Sequence, residues 1–195
     1  MANISGVFNY LFRQGKYYFF SVFVATFYSS ISFASQEGSA FYDAAICNPP
    51  YTIRHATELN DEAETLVKPD TSLMTAYVYK LPFDIGRDGF KTNEVVFSGT
   101  MVGVLIDGWR ADELAKHYQL EREESNILGT SVKGYARVVP PDPEKPSLEF
   151  GRVSIIARES NAIPGKTMLG CEFVSNAELD RLKQLEKHLH SANIQ

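Results

Sequence analysis

Leucine returns at helical spacing near the end of the chain, at Leu179, Leu182, Leu185 and Leu189, with charged residues between. Ser175-Asn176-Ala177-Glu178 precedes it as a capping box, in which the Ser hydroxyl accepts from an orphan amide and the Glu carboxylate reaches back. The spacing predicts an amphipathic helix of about four turns that lays its leucines on a sheet, with Leu182 and Leu185 in the core. "RHATELNDEAETLV" (54–67) is rich in helix formers and stops at Lys68-Pro69, which predicts a second helix. "DGWRADELAKHYQL" predicts a third over 110–119, with Asp107 as its cap.

Elsewhere the periodicity is that of strands. "LMTAYVYKL" (73–81), "EVVFSGTMVGVLI" (94–106), "GTSVKGYARVV" (129–139), "LEFGRVSIIAR" (148–158) and "TMLGCEFV" (167–174) are β-prone runs bounded by turn residues. Gly99 and Gly103 inside the second of them predict bulges or a close neighbour. "DIGRDGFKTN" (84–93) reads as a loop, "PPDPEKP" (140–146) as a stiff loop, and "SQEGSAFYDAAICNPP" (35–50) as an extended arm. The fold class that follows is α+β. It is a mostly antiparallel, twisted sheet of about five strands with the C-terminal helix packed on one face.

Before these elements stands an uncharged stretch from Tyr17 to Ser35, preceded only by the positive charges Arg13 and Lys16. An apolar run, Tyr17–Tyr28, gives way to the small, hydroxyl-rich Ser29–Ser35. That order is the order of a secretory signal, and Ser32-Phe33-Ala34 fits a cleavage site with a mature start near Ser35. An uncleaved membrane anchor is one alternative, since a helix of this length at ~1.5 Å per residue nearly spans a bilayer, and a buried core segment is the other. Residues 1–34 are therefore expected to be a signal peptide or anchor, and residues 35–195 one exported domain, periplasmic or secreted.

Export changes the meaning of charge and cysteine. Losing residues 1–34 removes two positive charges and no negative ones, so the net charge of −5 becomes −7. Such a domain repels phosphate backbones, which argues against nucleic acid as a partner. A run of basic residues suited to a membrane surface is also missing, so membrane contact falls to residues 17–35 alone. Cys47 and Cys171 both lie beyond the cleavage site, and an even count in an exported chain predicts one disulfide between them.

Patterns that carry chemistry fail one by one. Pro164-Gly165-Lys166-Thr167 looks like the end of a phosphate-binding loop, but Ser160 stands where a glycine is needed and a strand pattern follows. Asp84, Asp88 and Gly89 match positions of a calcium loop, while Gly86 and Val95 stand where oxygen ligands are required. His188 and His190 point about 200° apart on a helix, and His55 and His117 are isolated, so no metal pattern arises. No nucleophile motif occurs. Asp112 and Glu113 suit the first turn of a helix by charge alone. Catalytic, cofactor-binding and metal-binding residues are thus assigned to none. Trp109, the only tryptophan, is either a core residue or an exposed anchor for a partner protein.

"MLGCEFVSNAELDRLKQL", a strand ending Gly-x-x-Phe followed by a capped helix, resembles the last strand and helix of PilZ domains. The resemblance covers about 25 residues and implies a small β-barrel that binds cyclic di-GMP. That family's two ligand motifs, R-x-x-x-R and D/N-x-S-x-x-G, are absent here, and "FSGTMVG" has its serine and glycines at other spacings. No residue is carried over. The expectation from the residues is a non-enzymatic exported protein that acts through contact with another protein of the cell envelope, as an assembly component or inhibitor. Its alternatives are a small exported hydrolase with a dispersed His/carboxylate site, and a PilZ-like nucleotide-binding domain.

Overall fold

The computed structural model describes residues 34–73, 75–123, 131–140 and 151–192. The opening apolar stretch and most of the 140–146 loop lie outside them. Among these residues four helices and seven strands follow one another as α1 (Ala34–Ala45), α2 (Ile53–Leu66), β1 (Tyr77–Arg87), β2 (Phe90–Ser98), β3 (Met101–Asp107), α3 (Ala111–Tyr118), β4 (Glu121–Arg122), β5 (Ser131–Val138), β6 (Gly151–Ser160), β7 (Lys166–Ser175) and α4 (Asn176–Ala192). The strands form one sheet in the order β1-β2-β3-β7-β6-β5-β4, with every pair antiparallel. The α+β class is therefore right, and the strand count is seven rather than about five.

The split of one run into β2 and β3 and the short β4 account for the difference, and a stretch read as a loop is a hairpin as well. Residues 84–93 are not a loop. Arg87 pairs with Phe90 across Asp88 and Gly89, whose φ values of 58° and 88° make the two-residue turn that suits the twist of a hairpin. The run 94–106 is not one strand either. Gly99, at φ 56°, turns it so that Ser98 faces Met101. The additional strand, β4, is only two residues long. Gly103 serves close approach instead, because a Cβ there would meet the Leu169 carbonyl oxygen at 2.7 Å.

Residues 35–50 are not an extended arm, since most of them form α1. Tertiary packing decides this, because Phe41, Tyr42, Ala44 and Ala45 are buried against the sheet. The helix ends through Cys47, at φ 59°, whose amide donates to the Ala44 carbonyl oxygen while Asn48 donates to that of Asp43. Against α1 lie Tyr79, Leu81, Val95, Val104, Leu169 and Ile155, which with Leu114 of α3 make the main core. The opposite sheet face carries a smaller cluster of Val96, Met101, Leu105 and Ile156.

Two helix ends differ in how far the sequence foretold them. Ser175 Oγ does accept from the Glu178 amide at 3.2 Å, so α4 is capped as expected. Leu179 and Leu182 are half-buried, but Leu185 is 48% exposed and is not core. Asp107 does not cap α3. Arg110 takes the cap position, and its own side chain makes no capping bond. The strands supply the cap instead: Glu159 Oε1 accepts from the Ala111 amide at 2.9 Å, and Thr167 Oγ1 accepts from the Arg110 amide at 2.7 Å.

Candidate functional site

Among the described residues, polar and apolar side chains converge in two places. The first lies on the sheet face away from α1. Antiparallel register puts Met101, Gly103 and Leu105 of β3 beside Glu172, Gly170 and Met168 of β7, all on that face. Arg158 of β6 joins them opposite Met168. A groove of about 260 Å³ runs here, walled by Val96, Met101, Leu105, Ile163 and Met168 and floored at one side by Arg158 and Glu172. A second cleft, of about 240 Å³, opens between the start of α2 and the β2–β3 hairpin, lined by Tyr51, Ile53, Tyr77, Phe97 and Met101. Ser98 and Met101 line both.

The charge in the groove is held tightly. Arg158 Nε and Nη2 donate to the two oxygens of Glu123 at 2.9 and 2.6 Å, and Nη1 and Nη2 donate to those of Glu172 at 3.0 Å each. The Arg158 side chain is only 5% exposed. Burial alone would weaken its hold on its proton, but the two carboxylates more than reverse that, and its pKa is raised. At the mouth of the adjoining cleft, Ile53 is 68% and Tyr77 54% exposed. Large apolar side chains exposed together mark contact sites more often than single ones do.

The second place is a corner where α1, α3 and the β1–β2 hairpin meet. Tyr118 Oη donates to Asp88 Oδ2 at 3.3 Å, which commits its one proton, so Tyr42 Oη, also 3.3 Å away, is the donor to Tyr118. His117 Nε2 lies 3.3 Å from the same Asp88 oxygen. Burial, with the Asp88 charge and hydrogen bond, pushes the Tyr118 hydroxyl well above the usual tyrosine range. Arg87 reaches Asp43 of α1 at 2.7 Å, and the Arg110 guanidinium lies 5.4 Å over the Phe90 ring. These bonds tie three elements together around an exposed imidazole.

The residues singled out from sequence fall in scattered places. Cys47 and Cys171 are disulfide-bonded, with Cα atoms 5.0 Å apart. Such bonds persist in oxidising compartments. Trp109 is 56% exposed and so is not core. It lies two residues past the end of β3, whereas Met101 opens that strand, so the structure does not bring Trp109 to the cleft. Asp88 and Gly89 form a hairpin turn, and among the described residues no group of His, Cys, Asp or Glu is placed to hold a metal ion. Gly165 and Lys166 form the turn into β7, where Lys166 pairs with Glu94. Asp112 meets Lys133 and Tyr135 of β5, and those hydrogen bonds hold its carboxyl below the usual range. His188 Nδ1 lies 2.7 Å from the Gln184 carbonyl oxygen, within its own helix.

Sequence reasoning missed the Glu123–Arg158–Glu172 cluster and the Tyr42–Tyr118–Asp88 chain. Each joins residues far apart in sequence, and only the register of the sheet could have paired Arg158 with Glu172. The last strand and helix that resemble PilZ domains are present, but β1 and β4 are the two edges of an open sheet among the described residues, not neighbours in a closed barrel. No helix among the described residues is long and apolar enough to cross a membrane. No family model matches the chain, and neither a curated protein nor a solved structure does.

Proposed function

We propose that the chain is an exported, disulfide-bonded domain that acts by binding another protein of the cell envelope. The observation that carries this is the pair Ile53 and Tyr77, largely exposed at the mouth of an apolar cleft lined also by Tyr51 and Phe97. Aromatic and aliphatic anchors of this kind concentrate binding energy at protein interfaces. The disulfide supports the compartment, and the uncharged stretch before Ser35 supports export. N-terminal sequencing of the protein from its native compartment is expected to find a start near Ser35. An intact Met1 in a membrane fraction would mean an anchor instead.

A photo-crosslinking side chain at Tyr77 tests the contact. In cells it is expected to yield a covalent adduct with another protein, while the same group at exposed Lys91, on the β1–β2 hairpin, yields none. Only uncrosslinked chain at both positions would end the reading. The hydrolase alternative draws on one observation, the approach of His117 and Tyr118 to Asp88. The described residues that line the two clefts include no histidine, so that trio stands apart from both of them.

A further inference from the structure

We propose that oxidation of Cys47 and Cys171 assembles the cleft at Ile53 and Tyr77, so that the disulfide switches on contact with the partner. This rests on the protein-contact reading and adds the regulation of that site. The first wall of the cleft is Tyr51 and the start of α2, and the second is Tyr77 and the β2–β3 hairpin. Both walls are tied to one short stretch of β7. Thr100, at the hairpin turn, donates its hydroxyl to the Phe173 carbonyl oxygen and accepts from the Phe173 amide at 2.9 Å. Tyr51 stacks on the same Phe173, with ring centroids 6.1 Å apart and planes 8° from parallel. Four residues before Tyr51 stands Cys47, bonded to Cys171, two positions before Phe173.

The bond matters to the first wall because burial anchors that wall weakly. Residues 48–50 and 52–54 are exposed. The core holds α2 further along, at Leu59 and Ala63, and Tyr79 Oη donates to Asn60 Oδ1 at 3.1 Å. Upstream, the fixed point is Cys47, 6% exposed, on Cys171, 1% exposed. Without the bond, the segment between is left to the Tyr51 stack and to Thr52, which caps α2 by accepting from the His55 amide at 3.1 Å. A wall that is already ordered loses less entropy on binding, so fixing it raises affinity. The bond forms by exchange. The two thiols give two protons and two electrons to an oxidising disulfide, which leaves as two thiols, and one S–S bond replaces another. A reducing compartment runs the same exchange backwards. An exported chain thus completes its contact site after leaving the cytoplasm.

Backbone nitrogen relaxation of the purified protein tests this. In the oxidised parent, amides 52–57 are expected to show order parameters near about 0.85. In the Cys47→Ser/Cys171→Ser variant they are expected to fall below about 0.6, while β5 and β6 stay unchanged. A second variant carries two glycines between Pro50 and Tyr51, which keeps the bond and lengthens its tether to the wall. It is expected to loosen the same amides without the lowered urea midpoint that loss of the bond brings. The photo-crosslinked adduct at Tyr77 is expected to fall about tenfold in both variants. Order parameters that stay high in both would overturn the inference. If the double serine variant does not fold, the insertion variant decides, and a rigid wall in it overturns the inference. A loosened wall with an undiminished adduct would overturn it too, and would leave the protein-contact reading standing. No adduct from the parent would end that reading, while the relaxation data still decide whether the bond holds the wall.

Discussion

Arg158 illustrates how much a single position can demand of the residues around it. A guanidinium this deeply buried is tolerable only because Glu123 and Glu172 satisfy it from two directions. Arg158→Met is therefore expected to cost about 3–5 kcal/mol, since it leaves two buried carboxylates facing each other without a counter-charge. Urea denaturation followed by circular dichroism reads that cost, and a midpoint unchanged from the parent would show that the cluster is not a structural unit. None of this was legible in the sequence, where "IIARES" is one more half-polar strand. Glu159, the next residue, points to the other face and caps α3, so two adjacent charged side chains carry out unrelated tasks because a strand alternates its faces.

At the scale of elements, the helices divide by what they bury. α1 places Phe41 and Tyr42 in full burial against the sheet, although its Gly38 and serines are weak helix formers. α4 has the stronger sequence pattern and leaves Leu185 exposed. Phe41→Ala is expected to cost about 3–5 kcal/mol, through lost transfer energy and the cavity left behind. Leu185→Ala should cost about 0.5 kcal/mol or less. Parallel chemical denaturation of the two variants checks the contrast, and equal losses would place the α4 leucines in a core after all. The β1–β2 hairpin carried a readable signal, Asp88-Gly89 between β-prone residues, that a calcium-loop comparison obscured.

At the scale of the whole molecule, the disulfide joins the end of α1 to β7 across a sequence separation of 124 residues. In the chain-entropy model a loop of that size constrains the unfolded chain by about 4–5 kcal/mol. Protein prepared with the bond reduced is expected to unfold at a markedly lower urea concentration than the oxidised form, and to regain its midpoint on reoxidation. Thiol labelling of native protein taken from an oxidising compartment without reductant should find no free thiol. Two free thiols per chain with an undiminished midpoint would remove the bond from the protein's stability. The same bond ties the end of α1 to the face of the sheet that α1 covers.

The sequence by itself determined what local rules control. It specified the α+β class, the positions of α2, α3 and three of the strands within a few residues, the Ser175 cap and the pairing of the only two cysteines. Those follow from periodicity, capping chemistry and counting, which need no knowledge of distant neighbours. The tertiary structure alone decided that residues 34–45 are helical, that β3 lies beside β7, and that Glu123, Arg158 and Glu172 meet. Each of these depends on strand register and on burial against residues far away in the chain. A one-residue slip would send Arg158 to the opposite face, and no local pattern in the sequence encodes that choice.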